Sequence, residues 1–275
     1  MNENGGLRPP LQILIEEPYR WVEAIANRRE YIEDQLRLGS PVVLLNYDDG
    51  LLLLTVSRET RKIFEVYDRV AFSALGHPAD IERMRLVAID LAHIEGFNRA
   101  VADVSLRRLV HFGMSPALKT AFEQVYSAPY IVKMLLAELG EEPELDNIMK
   151  LDYDGSLSHG QVEKKESFDV LAGTDDAEKA MMNYLIEHDG NPRRSLEDAL
   201  KLAAKAWAVG MDTAEVGAAK EGEEADKREV DPEKILKDNM KTRHVEAAVL
   251  SRSGPATSRF RLLDEKEVRA ALKEL

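Results

Sequence analysis

Cysteine is absent from this 275-residue chain. That excludes disulfides, thiolate metal sites and a cysteine nucleophile, and it fits a reducing compartment. Long apolar runs are also missing: none approaches the ~20 residues of a membrane-spanning helix. Met1–Leu14 holds a single basic residue, Arg8, and no extended apolar stretch, so a secretory signal is not expected. Positive charge is in short supply. With 37 Lys and Arg against 50 Asp and Glu, the net charge of −13 argues against nucleic acid or an anionic membrane as partner. The six histidines show no metal-ligand spacing and no H-E-x-x-H helix, and neither Gly5-Gly6 nor Gly254 forms a phosphate loop. The acidic cluster Glu221, Glu223, Glu224 and Asp226 lacks the alternation of a calcium loop. No metal or cofactor is expected, and the location implied is cytoplasmic.

What is present is enough for a sizeable core, since 44% of the residues are apolar. The chain is organised around Pro41–Gly76. Val42–Leu45 and Leu51–Leu54 flank a turn ending in Asp49-Gly50, a strong hairpin signal because Gly accepts the positive φ such turns need. Ile63–Val66 and Val70–Leu75 form a second pair around Tyr67-Asp68-Arg69. The first pair is too continuously apolar for a sheet wetted on one face, and reads as strands covered on both sides.

Helical periodicity surrounds these strands. Met1–Glu17, with Gly5-Gly6 and Pro9-Pro10, reads as a flexible tail. Pro18 opens a helix ending near Gly39, whose apolar stripe includes Trp21, Ile25 and Ile32. Pro78 opens a second, striped by Ile81, Met84, Val87, Ala88, Leu91 and Ile94, with Gly96 as an interruption. Ser105 is placed as the N-cap of a third helix, weakened by Gly113 and Pro116. Tyr130–Leu139, Asn147–Tyr153 and Phe168–Ala172 read as strands, Asp175–Ile186 and Ser195–Val209 as helices, the latter closed by Gly210. Met181-Met182 and Trp207 fit helix-core contacts. Asp212–Lys241 is charged and poor in large apolar residues, and is expected to be a mobile insert within one domain spanning 18–275. Val245–Leu250 and Phe260–Leu263 return to strand, and Asp264–Leu275 to helix.

The ordered series G-S-P-V-V, Y-x-x-G-L-L-L-L, S-R and R-K-I-F-E-V-Y-D-R-V-A-F-S-A-L-G resembles the α-type subunits of proteasomes, especially the bacterial ones. The likeness continues through Pro129–Gly140, Leu151–Ser156, Leu171–Thr174 and His244–Leu250. A helix ahead of the first strand is a feature of the α type. The resemblance implies an α+β fold, the four-layer αββα sandwich of N-terminal-nucleophile hydrolases. It further implies seven identical subunits ringed over β-type subunits, a ring-shaped ATPase or other activator, and unfolded proteins in transit.

Active subunits of the proteasome family carry a Thr freed at the head of the first strand, whose α-amine acts as base toward the neighbouring hydroxyl. The corresponding residue is Ser40, interior to the chain and so lacking a basic amine. The family's catalytic Asp falls at Val56, which has no carboxylate, while its Lys falls at Lys62. The resemblance therefore points to a non-catalytic subunit. In α-type subunits the Lys matching Lys62 lies in the pocket between neighbouring subunits and receives the C-terminal carboxylate of an activator ATPase, with Leu75 and Gly76 matching the stretch that lines the same pocket. Trp21, Ile25 and Ile32 would face a neighbouring copy in the ring, and the tail would restrict the pore. Two alternatives stand: a self-processing amidase or peptidase using Ser40 after cleavage at Gly39–Ser40, and a homo-ring without a β partner.

Overall fold

A computed structural model describes residues 18–58, 60–124, 126–158, 168–189, 193–219, 230–255 and 257–273. The expected tail, residues 1–17, and the acidic cluster at 221–226 lie outside the described residues.

Two five-stranded antiparallel sheets stack face to face. The first runs β10 (Phe260–Leu262), β9 (His244–Ser251), β2 (Gly50–Ser57), β1 (Val42–Tyr47), β8 (Phe168–Leu171). The second runs β3 (Ile63–Tyr67), β4 (Val70–Gly76), β5 (Val132–Glu138), β6 (Asn147–Leu151), β7 (Leu157–Ser158). Both expected hairpins form, Leu44 facing Leu53 in one and Phe64 facing Phe72 in the other.

Side-chain alternation explains the continuous apolar runs. Val42 and Leu44 face the layer between the sheets, with Leu53, Leu75, Leu135 and Leu250. Val43 and Leu45 point the other way, against α5 (Asp175–His188), α6 (Leu196–Ala219) and α8 (Glu265–Ala271). The second sheet turns Phe72, Ala74, Met134 and Leu136 toward α2 (Pro78–Asn98), α3 (Leu106–Leu109) and α4 (Ser115–Glu123). Helix, sheet, sheet, helix: the αββα layering is as expected. Strands with apolar layers on both sides need apolar residues at every position.

Several local expectations are corrected. Gly96 does not interrupt α2, which runs on to Asn98. A Cβ at Gly96 would lie 2.5 Å from the Tyr67 hydroxyl, so glycine serves close packing there. Nor does Gly210 close α6, which continues to Ala219; a Cβ at Gly210 would meet the Met181 sulfur at 2.2 Å. Ser105 occupies the N-cap position of α3 but its side chain makes no capping bond. The Glu138 carboxylate accepts from the Leu106 N–H instead, at 3.0 Å. The weakness expected at Gly113 and Pro116 takes the form of a π-helical turn, Val110–Met114, between α3 and α4. Proline lacks the N–H that an α-helical ladder would require at that point. Ile94 leaves the apolar stripe of α2 and is exposed.

The insert is also more ordered than its composition suggested. Asp212–Ala219 extends α6, and Asp231 caps α7 (Pro232–Asn239) by accepting from the Lys234 N–H. Leu236 and Ala214 are buried against the first sheet's helical layer, which gives these charged stretches an anchored face. Only 220–229 of the insert lies outside the described residues.

Within α1 (Pro18–Leu36), Trp21 is exposed and Ile25 is partly buried. Ile32 is fully buried with Leu36 in the layer between the sheets. It has no surface left to give a neighbour, so the expectation that it contacts another copy is corrected.

Candidate functional site

At one end of the sandwich β2, β3 and β4 meet the first turn of α2 and the turn after α1. With Met211 and Glu215 of α6 and Arg243 ahead of β9, they enclose a cleft of about 590 Å³. Ser40, Val56, Lys62 and Gly76 all line it. Leu75 does not. Its side chain is fully buried, and it supports the cleft from beneath by packing under Gly39.

Gly76 is dictated by its backbone. Its φ of +140° is unfavourable for residues with a side chain, and a Cβ would lie 2.1 Å from the Ile131 carbonyl oxygen. That close approach lets the His77 N–H donate to the same carbonyl at 2.8 Å. His77 then caps α2, its Nδ1 accepting from the Ala79 N–H, ahead of Pro78.

Ser40 is chemically occupied. Its hydroxyl donates to the Val56 carbonyl at 2.5 Å and accepts from the Trp207 indole N–H at 3.0 Å. Trp207 is fully buried and needs an acceptor for that N–H, so Ser40 completes a core contact. The Val56 side chain is buried on the helical side of the first sheet and brings no carboxylate to the cleft.

Lys62 is half-buried. Burial pushes its ammonium down to about 8; the Glu246 carboxylate opposes that, and Arg243 adds to it. Glu246 itself is buried on β9, its oxygens accepting from the Lys62 N–H at 2.9 Å and the Ile63 N–H at 2.9 Å. Arg243 bonds the Met211 sulfur at 3.6 Å, and burial followed by the charge of Arg58 lowers its pKa. Arg61 and Arg85 both lie over the Phe64 ring, at 5.2 and 5.1 Å from its centroid. Of the charges lining the cleft, Glu82 is doubly bonded by Arg85 and Arg61 lies 3.8 Å from the Glu246 carboxylate, leaving Glu215 against Lys62, Arg58 and Arg243. The cleft therefore has an excess of positive charge beside apolar walls from Phe64, Ile81 and Met211. An arrangement of this kind suits an anion with an apolar neighbour, such as a chain-terminal carboxylate.

Sequence reasoning missed three contributors: Trp207 as the partner of Ser40, Glu246 and Arg243. For Glu246 a signal existed, since a carboxylate at an inward position of an apolar strand is unusual unless it is paired. Nothing in the local pattern around Arg243 indicates its placement.

No family model matches the chain. Curated relatives do. Over 245 residues it is 31% identical to a proteasome subunit alpha of Streptomyces scabiei, covering 87% of this chain and 84% of that one. A proteasome subunit alpha of Kineococcus radiotolerans is 31% identical over 84% of this chain and 86% of its own. One of Streptomyces avermitilis is 30% identical over 91% and 87%.

The chain belongs to the proteasome α-subunit family. Membership agrees with the bacterial α type expected from the sequence and with the layering of the sheets. Within this family member, the end of the sandwich that carries Ser40, Val56 and Lys62 combines a committed serine hydroxyl with a cationic cleft. Among the described residues no helix is long and apolar enough to cross a membrane, and no cluster of His, Cys, Asp and Glu is arranged to hold a metal ion.

Proposed function

We propose that this chain is a non-catalytic α-type subunit that forms the outer ring of a proteasome core, over β-type subunits that carry the proteolytic threonines. The observation that carries the non-catalytic reading is the double commitment of the Ser40 hydroxyl. Its proton and one lone pair are engaged in structure, and a residue amide-bonded on both sides offers no α-amine as base. Intact-mass measurement tests the alternative: loss of the residues ahead of Ser40, with peptide hydrolysis abolished by Ser40→Ala, would establish an enzyme.

The Lys62 cleft supports docking of an activator through its C-terminal carboxylate, with Gly76 at the edge and Leu75 beneath. Lys62→Ala should abolish docking of a ring ATPase to the assembled particle, and undiminished docking would refute the role.

Ring contacts fall to the outer face of α1, where Trp21, Val22 and Tyr31 are exposed and Ile25 lies half-covered. Fully burying one large apolar side chain contributes about 1.5–3 kcal/mol. Phe97 and Phe112, 91% and 78% exposed on the layer of α2 and the π turn, offer an apolar surface for a second ring. Residues 1–17 would act as a pore gate, shifting between closed and open arrangements when a partner binds. Co-expression with candidate β-type subunits, followed by particle mass and peptide hydrolysis, separates this assembly from a homo-ring.

A further inference from the structure

We propose that Glu246 is a positioning residue for Lys62, fixing where the lysine stands in the cleft and keeping its ammonium ready for a carboxylate ligand. The inference rests on the reading of the cleft as a carboxylate-docking site and deepens it.

Glu246 pairs with Thr55 across the β2–β9 ladder and points into the layer between the sheets, as Ala248 and Leu250 do. It is the charged residue at the end of that apolar row, and its side chain is 9% exposed. Such burial is costly for a carboxylate unless its oxygens are satisfied. Here they are satisfied by the opposite sheet. One oxygen accepts from the Lys62 N–H at 2.9 Å, and the other accepts from the Ile63 N–H at 2.9 Å and the Lys62 N–H at 3.2 Å. The Arg61 Nε lies 3.8 Å away.

These contacts do two things. First, β3 is the edge strand of its sheet and begins at Ile63, so Lys62 sits where the ladder has just ended. A carboxylate gripping two consecutive N–H groups removes the freedom that a strand end would otherwise have. Second, its negative charge acts on the ammonium of the residue it holds, against burial and the neighbouring Arg243. The other charged or titratable groups around the lysine are His244 on β9, Arg58 and Arg61 on the β2–β3 connection, Glu215 on α6 and Glu82 on α2. The arginines remain charged throughout the range in which a lysine titrates. Glu246 alone combines the backbone grip with a charge opposite to that of Lys62.

The test uses the full chain and a fluorescein-labelled tetrapeptide of alanine, phenylalanine and leucine, as the free C-terminal acid and as the C-terminal amide. Fluorescence polarisation is read from pH 6 to pH 9.5. Wild type should bind the acid form more tightly and lose it as pH rises through the Lys62 titration. In Glu246→Gln the loss should begin about half a pH unit lower, weakening binding at pH 8 by roughly twofold, because the uncharged amide no longer supports the ammonium. Glu246→Asp, which keeps the charge, should return the midpoint toward wild type. A Glu246→Gln profile that superimposes on wild type, with the acid still preferred, overturns the role of Glu246 and leaves the docking reading standing. Equal binding of acid and amide by wild type overturns the docking reading and the role of Glu246 in it.

Discussion

Replacing Lys62 by methionine should make the fold more stable while removing the docking proposed for the cleft. The magnitude follows from the site. Burial holds the ammonium at about 8 against an ordinary lysine value of 10.5. At about 1.4 kcal/mol for each factor of ten, keeping the residue charged in the folded protein costs about 3 kcal/mol at pH 7. Methionine has nearly the same length and no charge, so Lys62→Met should gain up to that amount. The pH dependence gives the sharper check. Because the folded-state value lies below the unfolded one, the unfolded chain holds more protons between the two, and wild-type stability rises with pH in that window. The advantage of Lys62→Met should be full below about pH 8, shrink above it, and vanish once pH exceeds 10.5. Urea denaturation of both proteins at pH 7, 8, 9 and 10, at one protein concentration, measures it. A difference that is zero at pH 7, or constant across the series, would refute the reasoning.

Other expectations are simpler. Ser40→Ala strips the Trp207 indole N–H of its acceptor in a buried site and should cost about 1–3 kcal/mol in chemical denaturation, with no change in peptide hydrolysis by the chain. Gly76→Ala sets a Cβ against the Ile131 carbonyl at a positive φ, and should cost at least about 1–3 kcal/mol by thermal melting and weaken activator docking with it. Phe97→Glu and Phe112→Glu change exposed side chains; each should shift the subunit's own stability by no more than about 0.5 kcal/mol while reducing co-purification with β-type subunits.

Much of the architecture was legible because it depends on local signals. Asp49-Gly50 between apolar runs marks a turn, and Val42–Leu45, apolar at every position, implies cover on both faces. Both were found. The misreadings share a physical cause. Gly96 and Gly210 looked like helix breakers, yet each stands where another side chain approaches too closely for a Cβ, a fact set by tertiary packing. Ile32 belonged to the correct helix stripe, but periodicity gives the face and not what covers it. Leu236 could anchor α7 because a groove was waiting in the helical layer, which composition does not report. In the cleft, Ser40, Lys62 and Gly76 were reached through resemblance, whereas Glu246 arrives on β9 and Arg243 just ahead of it, far along the chain.

The sandwich contains its own control for reading Lys62. Lys150 on β6 is also largely buried, but two carboxylates meet its ammonium, Glu178 at 3.0 Å and Asp169 at 3.2 Å. Burial alone would lower it, and those two charges more than reverse the effect, so its pKa is raised. Because Lys150, Asp169 and Glu178 belong to the second sheet, the first sheet and α5, this ion cluster ties three elements together. Its charge is spent on the fold. Around Lys62 the nearest carboxylate directs its oxygens to backbone N–H groups, and the other close charges include cations. The two lysines differ in what surrounds them, and the difference has opposite signs for stability. A carboxylate arriving from outside would do for Lys62 what Asp169 and Glu178 do for Lys150. If such a carboxylate docks, the cost of burying the ammonium in the isolated subunit becomes part of the driving force.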